Sequence, residues 1–142
     1  MSTVAPVAVT DLGCICAAGP SLPDCLQSML EGRGAPNLPT RFPCRQPEKL
    51  PVFEVPASWT KDYSAPERSP SAALLLCATE QALQQAKLTT SDLSARRVGV
   101  VIGTSVGASL DFLDYYKSHT AGGTPPLGAI KRYLTSNPAS FL

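Results

Sequence analysis

The chain has 142 residues, of which 44% are hydrophobic and 16% charged, and its formal net charge is +1. This length is typical of one domain, and the composition is too apolar for intrinsic disorder. Twelve basic residues balance eleven acidic ones without any basic run, which excludes the charge pattern of a nucleic-acid binder. No apolar run approaches the roughly 20 residues that span a bilayer, and no positive charge precedes the short apolar start, so we expect a cytoplasmic protein without membrane contact.

The cysteines are odd in number and lack the spacing of a disulfide scaffold: Cys14, Cys16, Cys25, Cys44 and Cys77. Without an export signal they are expected to be reduced thiols. The CxC pair at Cys14 and Cys16 suggests a metal ligand, but a structural zinc takes four ligands and the chain has one histidine. We therefore predict no metal and no cofactor, and interpret these cysteines as small packing residues.

The first elements are a strand and a helix. Residues 4–10 (VAPVAVT) are apolar and β-branched, as in a strand buried on both faces. After a run of small residues, Ser21 and Asp24 have the spacing of a capping box at a helix start, and Gly32 is placed to end that helix. Its apolar residues repeat at helical spacing: Leu22, Cys25, Leu26, Met29 and Leu30.

Residues 35–66 form a proline-rich excursion in which no long helix can propagate. Its aromatic residues suggest a covering layer on the surface of the domain: Phe42, Phe53, Trp59 and Tyr63.

The strongest helix signal begins at Ser69, where an N-cap residue precedes Pro70 at the first helical position, and the helix runs to Lys87. Its predicted inner face is Ala72, Leu75, Leu76, Thr79, Leu83 and Ala86. Because its many alanines leave little bulk, we expect a neighbouring element to approach this helix closely.

Residues 98–104 (VGVVIGT) predict a second buried strand, so strand, helix and strand form a crossover in an α/β sheet. Val106, Leu110 and Leu113 predict a short helix. A loop from Ser118 is expected next, followed by a helical stretch with Leu127, Ile130 and Leu134 on one face.

Two strands are too few for these apolar helices. A two-stranded sheet is marginally stable, and its edges expose unpaired N–H and C=O groups. Our hypothesis is that the remaining strands come from sequence beyond Leu142 or from another chain.

Three segments resemble the β-ketoacyl-acyl carrier protein synthases: VAVTDLGCICAAGPSLPDCLQSMLEGR, RSPSAALLLCATEQALQQAKL and RRVGVVIGTSVGASLDFLDYY. The resemblance implies an α/β fold in which residues 1–142 are the N-terminal part of a thiolase-like N-terminal domain, an incomplete mixed sheet with packed helices. It implies decarboxylative condensation of an acyl thioester with malonyl-acyl carrier protein, in fatty acid or polyketide biosynthesis. Acyl carrier protein and acyl thioesters are the implied partners, and the intact protein would be a homodimer or pair with a complementing chain.

The resemblance places the nucleophilic cysteine beyond Leu142 and two catalytic histidines in the family's second half. No catalytic residue is therefore expected in this chain, which would be inactive alone, and His119 matches neither histidine. Val106, in GTSVGAS, corresponds to a position that borders the acyl chain; the alternative is that it only packs the turn. Asp11 and Pro138 depart from the family pattern.

The chain has two other features that bear on function. The turn GTSVGAS has neither the GxGxxG spacing nor the lysine of a P-loop, which argues against a nucleotide site. A non-catalytic ketosynthase-like subunit, which shapes the acyl pocket of a partner without reacting, stays open as the alternative to an enzyme.

Overall fold

The computed structural model describes residues 6–34, 36–41, 50–66, 68–105, 112–125, 127–128 and 142. The helices with described bounds are α1 (Leu22–Leu30), α2 (Pro70–Gln85), α3 (Thr90–Ser94) and α4 (Leu113–Thr120), and residues 127–128 are also helical. Two three-residue 3-10 helices, Ala57–Trp59 and Lys61–Tyr63, precede α2. Within the same residues β pairing is limited to two isolated bridges, Cys16 with Gly19 and Asn37 with Val52. None of the described helices has the length and apolarity needed to cross a bilayer.

Helix α1 begins and ends where the sequence predicts. The Ser21 hydroxyl accepts a hydrogen bond from the Asp24 amide at 3.4 Å and donates one to the Asp24 carboxylate at 2.5 Å. At the other end Gly32 has a φ of +65°, and the Arg33 amide donates to the Ser28 carbonyl at 2.8 Å. This is a Schellman ending, in which a left-handed residue allows the last carbonyls of the helix to be satisfied.

The apolar stripe of α1 is buried at one position. Cys25 is buried, whereas Leu26 and Met29 are more than half exposed and Leu30 is 82% exposed. The first turn of α1 therefore packs against the chain, while much of its predicted apolar face remains accessible to solvent.

Helix α2 starts at a buried cap. The Ser69 side chain, only 2% exposed, accepts a hydrogen bond from the Ala72 amide at 3.1 Å, and Pro70 occupies the first turn as predicted. The buried residues are Ala72, Ala73 and Cys77. Of the predicted inner face, Ala72 is buried and the other members are half-buried. The buried face of α2 is therefore rotated from the predicted inner face toward Ala73 and Cys77.

Helices α2 and α3 follow each other almost without a linker. Lys87, just after α2, has a φ of +55°, and the Leu88 amide donates to the Leu83 carbonyl at 3.0 Å. Two residues later Thr89 and Asp92 form a reciprocal capping box that begins α3. Hydrogen bonds from the Thr89 hydroxyl and amide lower the pKa of the Asp92 carboxyl. A left-handed lysine costs more than a glycine would there.

In its described residues the excursion has no α-helix. Asn37 and Val52 exchange two backbone hydrogen bonds of 3.0 and 2.8 Å. The Glu54 carboxylate accepts from the Thr40 hydroxyl at 2.6 Å, and this bond is the main reason that the pKa of Glu54 is lowered. The Tyr63 phenol donates to the Glu80 carboxylate on α2, so the excursion is attached to α2 at its far end.

The two segments predicted as buried strands lie in no helix or strand here. Val7 is 93% exposed and Val101 98%, so the burial expected for residues 6–10 and 98–104 is not present in this structure. A strand is held by the N–H and C=O groups of its neighbours, and the described part of the chain offers these segments no such neighbour. Their strand conformation stays a prediction.

The prediction of a loop beginning at Ser118 is wrong for its first residues, because α4 continues to Thr120. Gly122, with a φ of +74°, ends the helix, and the Gly123 amide donates to the Ser118 carbonyl at 3.0 Å. Lys117 and His119 lie in the last turn, where positive charge is favourable to the helix dipole. Val106, Leu110, Ile130 and Leu134 lie outside the described residues, and Leu127 is helical but exposed.

Candidate functional site

A tight turn connects the N-terminal segment to α1. Cys16 and Gly19 exchange two backbone hydrogen bonds of 3.1 Å each. A Cβ atom on Gly19 would lie 2.6 Å from the Cys25 amide nitrogen and 2.7 Å from the Asp24 Cβ. Only glycine therefore allows the turn to rest directly on the first turn of α1.

The same segment packs closely against α2. A Cβ atom on Gly13 would lie 1.8 Å from the Ala78 carbonyl oxygen and 3.0 Å from the Ala82 amide nitrogen. The close approach that the alanines of this helix predict is confirmed, and Gly13 is the residue that makes it.

Gln81 fastens the turn to α2. The Cys14 amide donates to Oε1 of Gln81 at 3.1 Å, and Nε2 of Gln81 donates to the Pro20 carbonyl at 2.8 Å. Nε2 also lies 3.5 Å from Sγ of Cys77. One amide side chain thus satisfies a backbone donor and a backbone acceptor at the two ends of the turn.

Three cysteine side chains converge inside this arrangement. Sγ of Cys25 lies 3.4 Å from Sγ of Cys16 and 3.8 Å from Sγ of Cys14, and all three sulfurs lie within 4.8 Å of one another. The Cys25 thiol is buried and donates to the Gly19 carbonyl at 3.2 Å, while Cys14 and Cys16 are half-buried. We call Cys14, Cys16 and Cys25 the thiol cluster.

The thiols differ in acidity. Burial, together with hydrogen bonds from Cys16 and Cys14, raises the pKa of the Cys25 thiol to about 12. The Ala18 backbone amide, hydrogen-bonded to the sulfur, lowers the pKa of Cys16, assisted by the Cys25 thiol and opposed by burial. Since the thiolate is the nucleophile and metal ligand, Cys16 is more easily ionised than Cys25.

The thiol cluster can be reached from solvent through Cys16. A cavity of about 400 Å³ is lined by this residue and by Ala17, Ala18, Met29, Arg33, Gly34 and Phe53. Its lining is mostly apolar, with the Arg33 side chain as the charged group.

The other candidate residues lie elsewhere. Val106, proposed to line an acyl pocket, and Cys44 lie outside the described residues. Cys77 is buried on α2. His119 is exposed on α4, with its ring stacked on Tyr115 at 6.2 Å between centroids.

Sequence reasoning missed that Cys25 joins the CxC pair. It assigned Cys14 and Cys16 to a turn and Cys25 to a helical stripe without relating the two. The signal was the short connection: a glycine at position 19, which has no Cβ atom, allows the first turn of the helix to pack directly against the residues before it.

Comparison with known proteins identifies the family. Residues 4–141 match the profile of the family described as "Beta-ketoacyl synthase, N-terminal domain", and the chain belongs to this family. Membership implies a thiolase-like α/β fold, in agreement with the resemblance found in the sequence.

One curated relative is named "3-oxoacyl-[acyl-carrier-protein] synthase 2", from Synechocystis sp.. It is 33% identical over 106 residues, which cover 71% of this chain and 25% of the relative. The chain therefore matches about a quarter of the length of that protein. No solved structure matches the chain significantly.

Proposed function

We propose that this chain is the N-terminal part of a condensing enzyme of fatty acid or polyketide biosynthesis. In the intact enzyme an acyl group held as a thioester on cysteine is joined to malonyl-acyl carrier protein with loss of carbon dioxide. The observation that carries the proposal is the family match across residues 4–141, supported by the relative whose name is that of an acyl-carrier-protein synthase.

The exposed valines support a sheet that is completed by further strands. Val7, Val9, Val98 and Val101 are each more than half exposed, and burying such a side chain contributes about 1.5–3 kcal/mol. In our proposal residues 6–10 and 98–104 are strands of the family's mixed sheet, with α2 as the crossover between them. The intact protein would be a cytoplasmic homodimer that receives acyl groups from acyl carrier protein, or would pair with a complementing chain.

We assign the nucleophile to none of the described cysteines of this chain. A condensing cysteine must form a thiolate readily, and the raised pKa of the buried Cys25 works against that. Cys16 has a lowered pKa, but its cluster consists of cysteines, with no histidine among its members to stabilise a developing oxyanion. The ring of His119 is stacked on Tyr115 instead. The contribution of this chain to the reaction is structural, together with a wall of the acyl pocket at Val106.

A chimera tests the proposal. The matching region of the Synechocystis relative is replaced by residues 4–141 of this chain, and condensation of acyl- with malonyl-acyl carrier protein is followed by mass spectrometry. We expect a folded dimer that condenses. Val106→Phe should shift preference to shorter acyl groups and Val106→Ala to longer ones, because the side chain sets the depth of the pocket.

The matched control is the 142-residue chain alone, which should form neither an acyl adduct nor a condensation product. A stoichiometric acyl adduct on one of its own cysteines would refute the assignment of the nucleophile. A chimera that is dimeric and helical but does not condense would refute the proposed function. Unchanged acyl preference in both Val106 variants would remove that residue from the pocket.

A further inference from the structure

We propose that the thiol cluster of Cys14, Cys16 and Cys25 binds a soft, thiophilic metal ion, with monovalent copper as the best match. The inference uses residues that the condensing reaction leaves unexplained and does not depend on the proposed function.

The spacing of the sulfurs suits a single ion. With metal–sulfur bonds of about 2.3 Å, three sulfurs around one ion lie about 3.8–4.0 Å apart, for tetrahedral or planar arrangements respectively. The observed separations are 3.4 and 3.8 Å from Cys25, and the third lies within 4.8 Å. Small rotations about the cysteine side-chain bonds are enough to bring all three sulfurs to bonding distance.

The composition of the cluster selects the class of ion. Its ligand atoms are sulfur only, with no carboxylate or imidazole among its members. Thiolate ligands favour monovalent copper and zinc over the hard cations. Zinc takes four ligands in all, so that a site with three protein ligands needs a water as the fourth. Monovalent copper is fully coordinated by three sulfurs, so a cluster of three thiols favours copper.

The site is held in shape by the fold and has an entrance. Gly19 allows the turn to pack directly on α1, and hydrogen bonds from the Gln81 side chain hold both ends of the turn against α2. Cys16 opens to the cavity lined by Arg33 and Phe53. A ligand set that is already assembled loses little conformational freedom on binding.

Ionisation of the thiols fits displacement of protons by the metal. A cysteine binds a metal ion as the thiolate, so binding at the thiol cluster releases protons to solvent. Affinity should therefore rise with pH across the neutral range.

The test is an anaerobic titration of the reduced 142-residue chain with monovalent copper in competition with a chromogenic copper chelator. We expect each chain to bind one copper ion that the chelator does not remove. Cys25→Ser should weaken binding by more than about 100-fold, beyond the 10–100-fold that loss of a supporting contact typically costs. Cys77→Ser is the matched control, since this buried cysteine lies outside the cluster, and it should bind as the parent does.

Two further measurements keep the result decisive. If Cys25→Ser alters the far-UV circular dichroism spectrum, Cys14→Ser and Cys16→Ser, at half-buried positions, take its place. X-ray absorption at the copper edge should show three sulfur neighbours. Equal affinity in the parent and in all three cluster variants, equal affinity in denaturant, or weakened binding in Cys77→Ser would each overturn the proposal.

Discussion

Replacing Gly13 by alanine should separate the N-terminal segment from α2. The added methyl carbon would lie 1.8 Å from the Ala78 carbonyl oxygen, roughly half of an ordinary contact distance. Backbone atoms of a helix cannot yield as a flexible side chain would, so the turn itself must move by more than 1 Å. That movement would also pull Cys14 and Pro20 away from Gln81, whose two hydrogen bonds hold the turn.

The size of the effect follows from overpacking and hydrogen bonding. Inserting a methyl group into a filled contact costs about 1–3 kcal/mol, and each lost hydrogen bond about 1 kcal/mol more. With both Gln81 hydrogen bonds lost, we expect Gly13→Ala to lower the free energy of unfolding by about 3–5 kcal/mol. With a urea dependence of about 2 kcal/mol per molar, the midpoint would fall by about 1.5–2.5 M. Far-UV circular dichroism gives the midpoint, and hydrogen exchange shows whether the Cys14 amide loses protection.

Gly99→Ala is the matched control, because a Cβ atom there would meet nothing within 4 Å. This variant should be neutral, or more stable by about 0.4–1 kcal/mol through a less flexible unfolded chain. If Gly13→Ala and Gly99→Ala unfolded at the same urea concentration, with the Cys14 amide equally protected, the close packing of Gly13 on α2 would be refuted.

Three further changes probe α2 and its contacts. Ser69→Ala should lower the free energy of unfolding by about 1–2 kcal/mol, because the Ala72 amide loses its hydrogen-bond acceptor, and Ser69→Gly should lower it less. Equal losses in the two variants, measured by chemical denaturation, would contradict a capping role. Lys87→Gly should raise the free energy of unfolding by about 1 kcal/mol, because glycine adopts the positive φ without strain. Lys87→Ala should give no such gain, and a gain in both variants would show that removal of the lysine charge is the cause. The pKa of Tyr63 is raised from 10.0 to about 12, first by its hydrogen bond to Glu80 and then by burial. The folded state therefore keeps a proton that the unfolded chain loses, and stability should decline as pH rises from about 10 toward about 12. In a spectrophotometric titration Tyr63→Phe should remove a tyrosine that ionises at a pH of about 12; if that component persists, the interaction with Glu80 is wrong.

Helix starts and stops could be predicted because they depend on neighbouring residues. Ser21, Ser69 and Gly32 act through their own side chains or backbone, and each does what its position in the sequence indicates. Lys87 could not be predicted as a left-handed residue, since lysine carries no such preference. A glycine at position 122 is suited to end a helix, but the small polar residues before it led to the prediction of a loop from Ser118.

Contacts between distant segments were harder to predict. Periodicity shows which residues of a helix are apolar, but it does not show which face meets a neighbour. Ala73 and Cys77 are buried because the turn of Gly13 and the Tyr63 segment lie on that side of α2. The thiol cluster depends in the same way on a chain reversal whose geometry periodicity does not describe.

Gln81 reaches across a long stretch of sequence, and this affects how the excursion between α1 and α2 can vary. Its partners Cys14 and Pro20 lie 67 and 61 residues away, so the turn becomes fixed only once α2 exists to hold it. The entropy of closing so long a loop changes slowly with length: doubling it costs only about 0.6 kcal/mol. Insertions or deletions among the prolines should therefore be tolerated more readily than loss of that one glutamine amide.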